Sequence, residues 1–407
     1  MMEKTKVVIL GAGYAGLMAL RQLQKRGDAS FLEITLVDRN PYHYEATDLH
    51  EVAAGALDAD RITYPIDHVV DDKMTYFVED TVTKIDKQAR RVELANHDAL
   101  SYDYLIVGLG FESEDFGIPG VQENALAMDS VESAQRIYQH IEDEMHAYRE
   151  DNDPRHLYIV VAGAGFTGVE LLGALSEQRD KYAEIAGAAP NQIQIMAVDG
   201  AQRPLSVFSE KLVNYGIDVL RGRGAVIESG KGIDSVEPGV LKYSDRQTGV
   251  PGEVVAGTII WTTGVRGSHV MADSGYTGKR NRNSVNRYLQ DPEDSHVYLV
   301  GDVAAAIDPE SEQLLPTTAQ LALVMGEIAA KNVIADITDY ELTEFSYKSL
   351  GTVCSIGNTS AIGVVGTDHE VKGYPASMLK KVIMNKSLME TGGMKEVLSK
   401  GRFDLYH

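Results

Sequence analysis

The chain has 407 residues, 44% hydrophobic and 24% charged, and its net charge is −22. This composition is globular and long enough for two or three domains, which excludes fibrous and disordered classes. The negative charge argues against nucleic acid as a partner, and the single cysteine, Cys354, excludes an internal disulfide.

The predicted elements alternate between short β-branched runs and segments with helical periodicity, which is typical of α/β units. Strands are predicted at 7–10 and 34–37, with a helix at 14–26 between them, and β structure at 75–94 and 102–108. The same unit recurs as strand 158–161, helix 166–178 and strand 193–198. Later elements are strands at 257–262 and 297–300, a helix at 321–333, paired strands at 352–356 and 361–365, and a basic helical tail.

The first strand and helix enclose a glycine pattern. Gly11, Gly13 and Gly16 form G-x-G-x-x-G, in which the first glycine permits a tight turn and the second lets a pyrophosphate approach the backbone. The third lets helix and strand pack closely, and the phosphates lie at the positive end of the helix. Asp38 closes the next strand, where a carboxylate accepts from a ribose hydroxyl. This region therefore predicts a dinucleotide site.

The second unit repeats the pattern. Gly163, Gly165 and Gly168 lie between a strand and a helix, and Asp199 ends the following strand. Asp199 comes 31 residues after Gly168, whereas Asp38 comes 22 residues after Gly16. The additional length is the polar segment 178–192, which we interpret as a surface insertion. Two such units imply two dinucleotides, a bound flavin and a nicotinamide that delivers hydride.

Asp199 favours NADH over NADPH, because a carboxylate accepts from a ribose 2′-hydroxyl and repels a 2′-phosphate. Arg203 lies nearby in the sequence and is the evidence against this preference, unless it is an ordinary surface charge. A third element, Gly301-Asp302 after a strand, suits a carboxylate that reaches a flavin ribityl chain, although such pairs are also common turns.

These motifs, with segments 42–47, 166–170, 262–267 and 316–320 and the basic tail, resemble the two-dinucleotide-binding-domain flavoprotein reductases. Within them the chain is most similar to type II NADH dehydrogenases, single-chain NADH:quinone oxidoreductases that do not pump protons. The resemblance covers essentially the whole chain. It implies an α/β fold of two doubly wound dinucleotide-binding domains, one nested in the other, and a small C-terminal module of β-strands and an amphipathic helix. The expected limits are 1–112 and 262–338 for the FAD-binding domain, 113–261 for the NADH-binding domain and 339–407 for a membrane-docking module.

The resemblance also implies the site residues by position. It implies FAD contacts at Gly11, Ala12, Gly13, Tyr14, Ala15, Gly16, Asp38, Arg39, Val82, Asp302, Ala319 and Gln320. It implies NADH contacts at Gly163, Gly165, Phe166, Thr167, Gly168, Asp199 and Gly264. Catalytic roles are expected for Glu170, Gln320 and Lys380, with Glu170 and Lys380 handling the protons of quinone reduction, and no metal is expected. Position alone favours another interpretation of Glu170, an acid stabilised by the helix N-terminus, and the resemblance reverses that preference.

One position departs from the family pattern Ala-Gln-x-x-x-Gln. Val324 stands where the second glutamine is expected, so a hydrogen-bond donor beside the quinone is missing. This departure favours an alternative, a soluble NADH oxidase or diaphorase that reduces oxygen or small acceptors. A non-catalytic sensor that binds NADH and FAD is the other alternative. Dithiol and sulfide:quinone reductases need paired cysteines, which a single cysteine cannot supply. Cys354 lies in a late apolar strand, so we interpret it as a buried core thiol.

The tail carries an excess of basic residues, with seven basic and four acidic residues over 370–407. Helical spacing predicts one apolar face and one basic face, the first made of Met378, Leu379, Val382, Ile383 and Met389 and the second of Lys380, Lys381 and Lys386. Such a helix fits an anionic membrane surface, and the alternative is packing on the acidic body of the protein. The resemblance implies a peripheral protein on the cytoplasmic face of the cell membrane, and it allows a homodimer.

Overall fold

The first predicted strand lies at the centre of a parallel sheet. The structure, a computed structural model, describes residues 4–308, 311–366 and 368–403. Thr5–Leu10 pairs in parallel with Leu32–Asp38 on one side and Tyr104–Val107 on the other, and its last four residues are buried. Continuous burial is expected of a parallel strand covered on both faces. The six strands lie in the order Gln290–Asp291, Asp294–Leu299, Tyr104–Val107, Thr5–Leu10, Leu32–Asp38 and Thr75–Glu79.

Two helices pack closely on this sheet. Tyr14–Arg26 has the predicted bounds, and Ala319–Ile337 extends the predicted helix at both ends. A Cβ at Gly326 would lie 2.1 Å from the Ala15 oxygen, so the second helix can approach the first only because this residue is glycine. Thr318 caps the second helix by accepting from the Leu321 backbone N–H at 3.2 Å.

The repeated unit forms a second parallel sheet. Its strands lie in the order Leu126–Ala127, Thr258–Trp261, Tyr158–Ala162, Gln194–Asp199 and Ala225–Ser229. Alternate residues of the central strand enter two different cores, Ile159 and Val161 on one face and Val160 and Ala162 on the other. The helices of this region are Val121–Asn124, Val131–Asp151, Phe166–Glu177, Arg179–Ala186 and Glu210–Gly222.

The segment 178–192, predicted as a surface insertion, lies mostly at the surface but is partly packed against the rest of the protein. The segment contains the helix Arg179–Ala186, whose residues Tyr182, Ala183 and Ala186 are buried. The Tyr182 hydroxyl donates to the Ala54 carbonyl oxygen at 2.7 Å, so this helix contacts the other domain. The charged residues Asp180, Lys181 and Glu184 are exposed on its outer face, which is normal for an amphipathic helix.

The chain crosses between the two sheets twice, at Phe111–Ser113 and at Val265–Gly267, and these two segments pair as an antiparallel ribbon. The predicted α/β class, with one doubly wound domain nested in the other, is confirmed. The domain limits themselves stay a prediction.

Three smaller antiparallel sheets complete the two domains. They are Tyr42–Tyr44 with Thr63–Pro65; Val82–Asp86, Arg91–Leu94 and Leu100–Ser101; and Lys231–Glu237, Val240–Asp245 and Pro251–Val255. A short parallel pair joins Asn283–Ser284 and Ala304–Ala305, and two further short helices are Leu49–Ala53 and Val270–Asp273.

The C-terminal part contains the predicted strand pair. Gly351–Ser355 and Ala361–Val365 pair antiparallel, and a third strand, His369–Lys372, was not predicted because its residues are mostly polar. Helices Tyr374–Thr391 and Met394–Lys400 follow. Within the described ranges, no helix combines the length and the apolar character needed to cross a bilayer.

Candidate functional site

The first glycine turn has the geometry of a phosphate-binding loop. Gly11 has φ +93°, and a Cβ at Gly16 would lie 1.8 Å from the Gly11 oxygen, so both positions require glycine. A Cβ at Gly13 would meet nothing within 4 Å. The space beside Gly13 lies at the N-terminus of helix Tyr14–Arg26, where backbone N–H groups attract an anion.

Asp38 lies beside this turn. Its Oδ2 accepts from the Ala12 backbone N–H at 2.6 Å, and its Oδ1 accepts from the Asn40 backbone N–H at 2.9 Å. Burial raises the pKa of Asp38, and these two hydrogen bonds oppose the increase. Arg39, the next residue, is exposed. Each carboxylate oxygen keeps a further lone pair with which to accept from a ribose hydroxyl.

The second turn repeats this arrangement. Gly163 has φ +106°, and a Cβ at Gly168 would lie 2.0 Å from the Gly163 oxygen, whereas a Cβ at Gly165 would meet nothing within 4 Å. Asp199 Oδ2 accepts from the Ala164 backbone N–H at 2.6 Å, as Asp38 does from Ala12. Both domains therefore present an open glycine beside a helix N-terminus and a carboxylate at the end of the next strand.

The other residues expected at the first site occupy three elements around it. Asp302 lies in a short 3₁₀ turn after strand Asp294–Leu299, and Gly301 before it contacts Ala15, where a Cβ would be 3.5 Å from the Ala15 Cβ. Burial raises the pKa of Asp302 to about 6, and the Arg282 charge opposes that increase. Ala319 and Gln320 begin the helix that packs on this turn, and the Gln320 Oε1 accepts from the Tyr347 hydroxyl at 2.6 Å. Val82 is buried at the start of a strand in a small sheet.

The other residues expected at the second site lie near its turn. Phe166 and Thr167 begin the helix, and the Phe166 ring lies 5.5 Å from the Phe208 ring. Gly264 lies against Phe116, since a Cβ there would be 2.6 Å from that ring. Thr263, which was not predicted, lies directly beside Gly163, and its Oγ1 is buried without a hydrogen-bond partner among the described residues.

Two residues of segment 42–47 were also missed. The Tyr14 hydroxyl donates to Glu45 Oε2 at 2.8 Å, and His43 Nδ1 lies 2.7 Å from the Ala12 carbonyl oxygen. His43 and Glu45 are buried, yet His43 Nε2 and Glu45 Oε1 have no hydrogen-bond partner in the part of the chain that the structure describes. The segment was part of the resemblance, but no sequence signal showed that it folds against the first turn.

The three residues with expected catalytic roles do not all meet. Glu170 and Lys380 are paired: Lys380 Nζ lies 2.9 Å from Glu170 Oε1, although 210 residues separate them. The Ser355 backbone N–H and hydroxyl donate to the same oxygen at 3.0 and 2.9 Å. Gln320 instead bonds to Tyr347. Burial alone would raise the pKa of Glu170, but the Lys380 charge, His50 and the Ser355 hydrogen bond lower it below its usual value.

The predicted basic face of the tail was wrong. Lys380 is directed inward to Glu170, and Lys381 is buried, so only Lys386 of the three is exposed, and it pairs with Glu390 one turn later. Burial lowers the pKa of Lys380, but the charge and hydrogen bond of Glu170, together with the Asp48 charge, outweigh it, and the net shift is upward. Helical spacing does not show whether a lysine points inward or outward when its partner carboxylate lies 210 residues away in the sequence.

The interpretation of Cys354 as a core thiol is confirmed, since it is fully buried and burial raises its pKa.

Comparison with known proteins agrees with this geometry. The family described as pyridine nucleotide-disulphide oxidoreductase matches residues 5–326. The type II NADH:quinone oxidoreductase of Staphylococcus haemolyticus (strain JCSC1435) is 39% identical over 405 residues, 98% of this chain and 99% of that protein. The chain belongs to the type II NADH:quinone oxidoreductases. The enzyme of the same name from Staphylococcus aureus (strain MSSA476) is 38% identical over 404 residues, with the same coverage.

Solved structures show the same fold at lower identity. NDH2 of Plasmodium falciparum in complex with NADH has a TM-score of 0.85 at 17% identity, and 98% of each chain is covered. The sulfide:quinone oxidoreductase of Aquifex aeolicus has a TM-score of 0.77 at 19% identity, with 99% of this chain and 96% of that chain covered. The fold is therefore shared with proteins whose chemistry differs, so the fold alone does not determine the reaction.

Proposed function

We propose that this enzyme is an FAD-dependent NADH:quinone oxidoreductase that transfers hydride from NADH to the flavin and two electrons to a membrane quinone, without pumping protons. The observation that carries the proposal is the duplicated turn, in which Gly13 and Gly165 each leave open space at a helix N-terminus beside an aspartate. Two such sites suit two dinucleotides.

The residues around the first turn fit FAD. The open face at Gly13 admits a pyrophosphate, and Asp38 suits the adenosine ribose. Beside the turn, His43 Nε2 and Glu45 Oε1 lie 3.8 Å apart, and neither atom has a hydrogen-bond partner among the described residues. Asp302 is a candidate acceptor for a ribityl hydroxyl. FAD, when bound, accepts hydride and returns two electrons to a second substrate.

The residues around the second turn fit NADH. The Thr263 hydroxyl, which has no hydrogen-bond partner among the described residues, lies beside Gly163, and Asp199 ends the adjacent strand. Arg203, the evidence against NADH preference, donates to the backbone oxygens of Phe208 and Ser206 in its own loop. A guanidinium held by backbone oxygens is less available for a 2′-phosphate, which supports NADH over NADPH.

We propose that Glu170 and Lys380 manage the proton of quinone reduction. The pair is nearly buried and connects the second domain to the helix Tyr374–Thr391, so it lies where both domains and the C-terminal module meet. A carboxylate can accept a proton and release it to a neighbouring oxygen, and the lowered pKa of Glu170 favours the release. Gln320 would contribute as a hydrogen-bonding group rather than in proton transfer.

We propose peripheral binding to the cytoplasmic face of the cell membrane through exposed apolar side chains of the last helices, not through lysines. The side chains are Val382, Ile383, Met389, Met394, Leu398 and Phe403, which we call the apolar tail patch. They lie on two helices in contact with each other and after the second of them, and exposed large apolar side chains are typical of surfaces that dock onto a membrane or partner.

Val324 favours the alternative of a soluble oxidase, because it packs on the core of the first domain and cannot donate a hydrogen bond. Membership of an oxidoreductase family argues against a non-catalytic sensor.

The deciding experiment is anaerobic reduction of the purified yellow enzyme by NADH, followed by mixing with a menaquinone analogue or with oxygen. Fast reoxidation by the quinone supports the proposal, and reoxidation by oxygen alone contradicts it.

A further inference from the structure

A cavity of about 380 Å³ lies where the two domains and the C-terminal module meet. Its walls include the end of helix Phe166–Glu177, the helix Leu49–Ala53 and the loop at 357–359. His50 and Arg402 bring polar groups to these walls, and so do Glu51 and Glu177. A polar cavity of this size can hold several water molecules.

A line of polar groups leads from this cavity to the buried ion pair. His50 lines the cavity, is itself 5% exposed, and places its Nε2 3.5 Å from the Ser355 hydroxyl oxygen. That oxygen lies 2.9 Å from Glu170 Oε1, which also accepts a hydrogen bond from Lys380 Nζ. With its proton on Nε2, His50 donates to Ser355, and Ser355 donates to Glu170, so both hydrogen bonds run in the same direction.

We infer that the proton consumed in quinol formation enters through this cavity and reaches Glu170 by way of His50 and Ser355. The inference rests on the proposed function, in which NADH, one proton and a quinone give NAD⁺ and a quinol. Hydride from NADH supplies two electrons and one proton, so the second proton comes from water. His50 takes a proton from cavity water at one ring nitrogen and releases its Nε2 proton to Ser355. The Ser355 hydroxyl proton passes to Glu170, which delivers it to the quinone oxygen.

The charges around His50 suit a relay. Burial lowers the pKa of His50, so the ring is neutral near pH 7 and can both accept and donate a proton. Glu170 and Glu51 raise this pKa, while Lys380 and Arg402 lower it. Neither Glu170 nor Lys380 lines the cavity, so His50 is the group that connects that cavity to the pair.

The test separates the two half-reactions of the flavin-loaded enzyme by stopped-flow absorbance. Reduction by NADH takes up no proton through the relay, so His50→Ala and Ser355→Ala should react with NADH at the wild-type rate. Reoxidation by a water-soluble quinone should slow roughly a hundredfold or more in both variants, the lower end of what positioned acid–base groups supply. The solvent isotope effect on that step should increase.

Rescue distinguishes a relay from a structural role. Added imidazole, which the cavity can admit, should restore quinone reoxidation in His50→Ala, and Ser355→Thr, which keeps a hydroxyl, should retain most of the rate. Gln178→Ala changes a side chain of the same cavity outside the polar line and should match the wild type.

Two results would overturn the relay: a wild-type reoxidation rate in His50→Ala between about pH 6 and pH 9, or a slow rate that imidazole leaves unchanged. Failure of the wild-type enzyme to reduce any quinone would instead overturn the proposed function, and the relay with it.

Discussion

At the scale of single residues, Gly13 and Gly16 lie in the same turn under opposite constraints. A Cβ at Gly13 would meet nothing within 4 Å and its backbone is extended, whereas a Cβ at Gly16 would overlap the Gly11 oxygen at 1.8 Å. We predict that Gly13→Val folds but purifies without flavin, because the side chain fills the space for the pyrophosphate. Gly16→Val should fail to fold. Circular dichroism and flavin absorbance measure both outcomes, and a yellow Gly13→Val protein would contradict the assignment.

The Glu170–Lys380 pair predicts a stability that depends on pH. Glu170→Gln leaves a buried ammonium without its counter-charge and should lower the free energy of unfolding by about 3–5 kcal/mol. The double variant Glu170→Gln with Lys380→Met removes both charges and should recover most of that loss. Urea unfolding of the three proteins measures these differences, and a single variant as stable as the wild type would contradict the buried pair.

The pH range over which the pair stabilises the folded state follows from the pKa shifts of Glu170 and Lys380. The pKa of Glu170 is lowered in the folded state, so its stabilisation is complete above the unfolded value near about 4.3 and is lost as the pH falls through the folded value. The pKa of Lys380 is raised, so its contribution is complete below about 10.4 and is lost as the pH rises through the folded value. The stability gap between the wild type and Glu170→Gln should therefore be constant across neutral pH and shrink in acid.

Nucleotide preference provides a further test at Asp199. Asp199→Ala removes the repulsion of a 2′-phosphate and one charged hydrogen bond to the ribose, which contributes about 1.5–3 kcal/mol. We therefore expect kcat/KM for NADH to fall by at least roughly tenfold, while kcat/KM for NADPH is maintained or rises. Arg203→Ala is the matched control, because its guanidinium bonds to its own loop. Equal use of both nucleotides by the wild type would reject the role of Asp199.

At the scale of elements, the sequence predicted what local patterns determine. Both glycine turns, the helix 14–26 and the late strand pair follow from residues that are neighbours in the chain. The helix Arg179–Ala186 was missed because its buried face, centred on Tyr182, packs against a residue 128 positions away. The predicted basic face of the last long helix was wrong for the same reason. Burial of Lys381 and inward pairing of Lys380 depend on tertiary contacts that helical spacing does not contain.

The apolar tail patch predicts how these last helices bind membranes. Val382 and Leu398 are 60% and 73% exposed, so replacing both with serine should leave folding stability unchanged. Each such side chain contributes about 1.5–3 kcal/mol when fully buried in an apolar phase. The double variant should therefore bind vesicles at least roughly tenfold more weakly.

Co-sedimentation with anionic vesicles measures this binding. Lys386→Gln is the control and should have a small effect, since this lysine pairs with Glu390 on its own helix. Added salt should weaken binding only slightly, because apolar burial is not screened. A strong loss of binding in Lys386→Gln, with none in the serine variant, would restore the basic-face explanation.

At the scale of the whole molecule, Arg402 joins parts of the chain that are far apart in sequence. Its Nη1 lies 2.7 Å from Glu51 Oε1, its Nη2 lies 3.2 Å from Asn358 Oδ1, and its backbone N–H donates to Asn385 Oδ1 at 2.7 Å. The arginine is 8% exposed. One side chain thus holds the C-terminal module against the first domain, on the wall of the cavity that contains His50.

We predict that Arg402→Ala loosens the C-terminal module without unfolding the dinucleotide sites. Loss of the guanidinium removes the ion pair of Glu51, which costs about 1–3 kcal/mol for a group that lines a cavity. Limited proteolysis should then cleave the tail faster, and quinone reduction should fall while NADH reduction of a water-soluble dye persists.

Two further variants are the controls. Arg402→Lys should recover only part of the activity, because an ammonium cannot reproduce the forked contacts to Glu51 and Asn358. Arg221→Ala, which removes an exposed pair within one helix, should behave as the wild type. If dye reduction and quinone reduction fall together in Arg402→Ala, the residue supports the whole fold rather than the docking of this module.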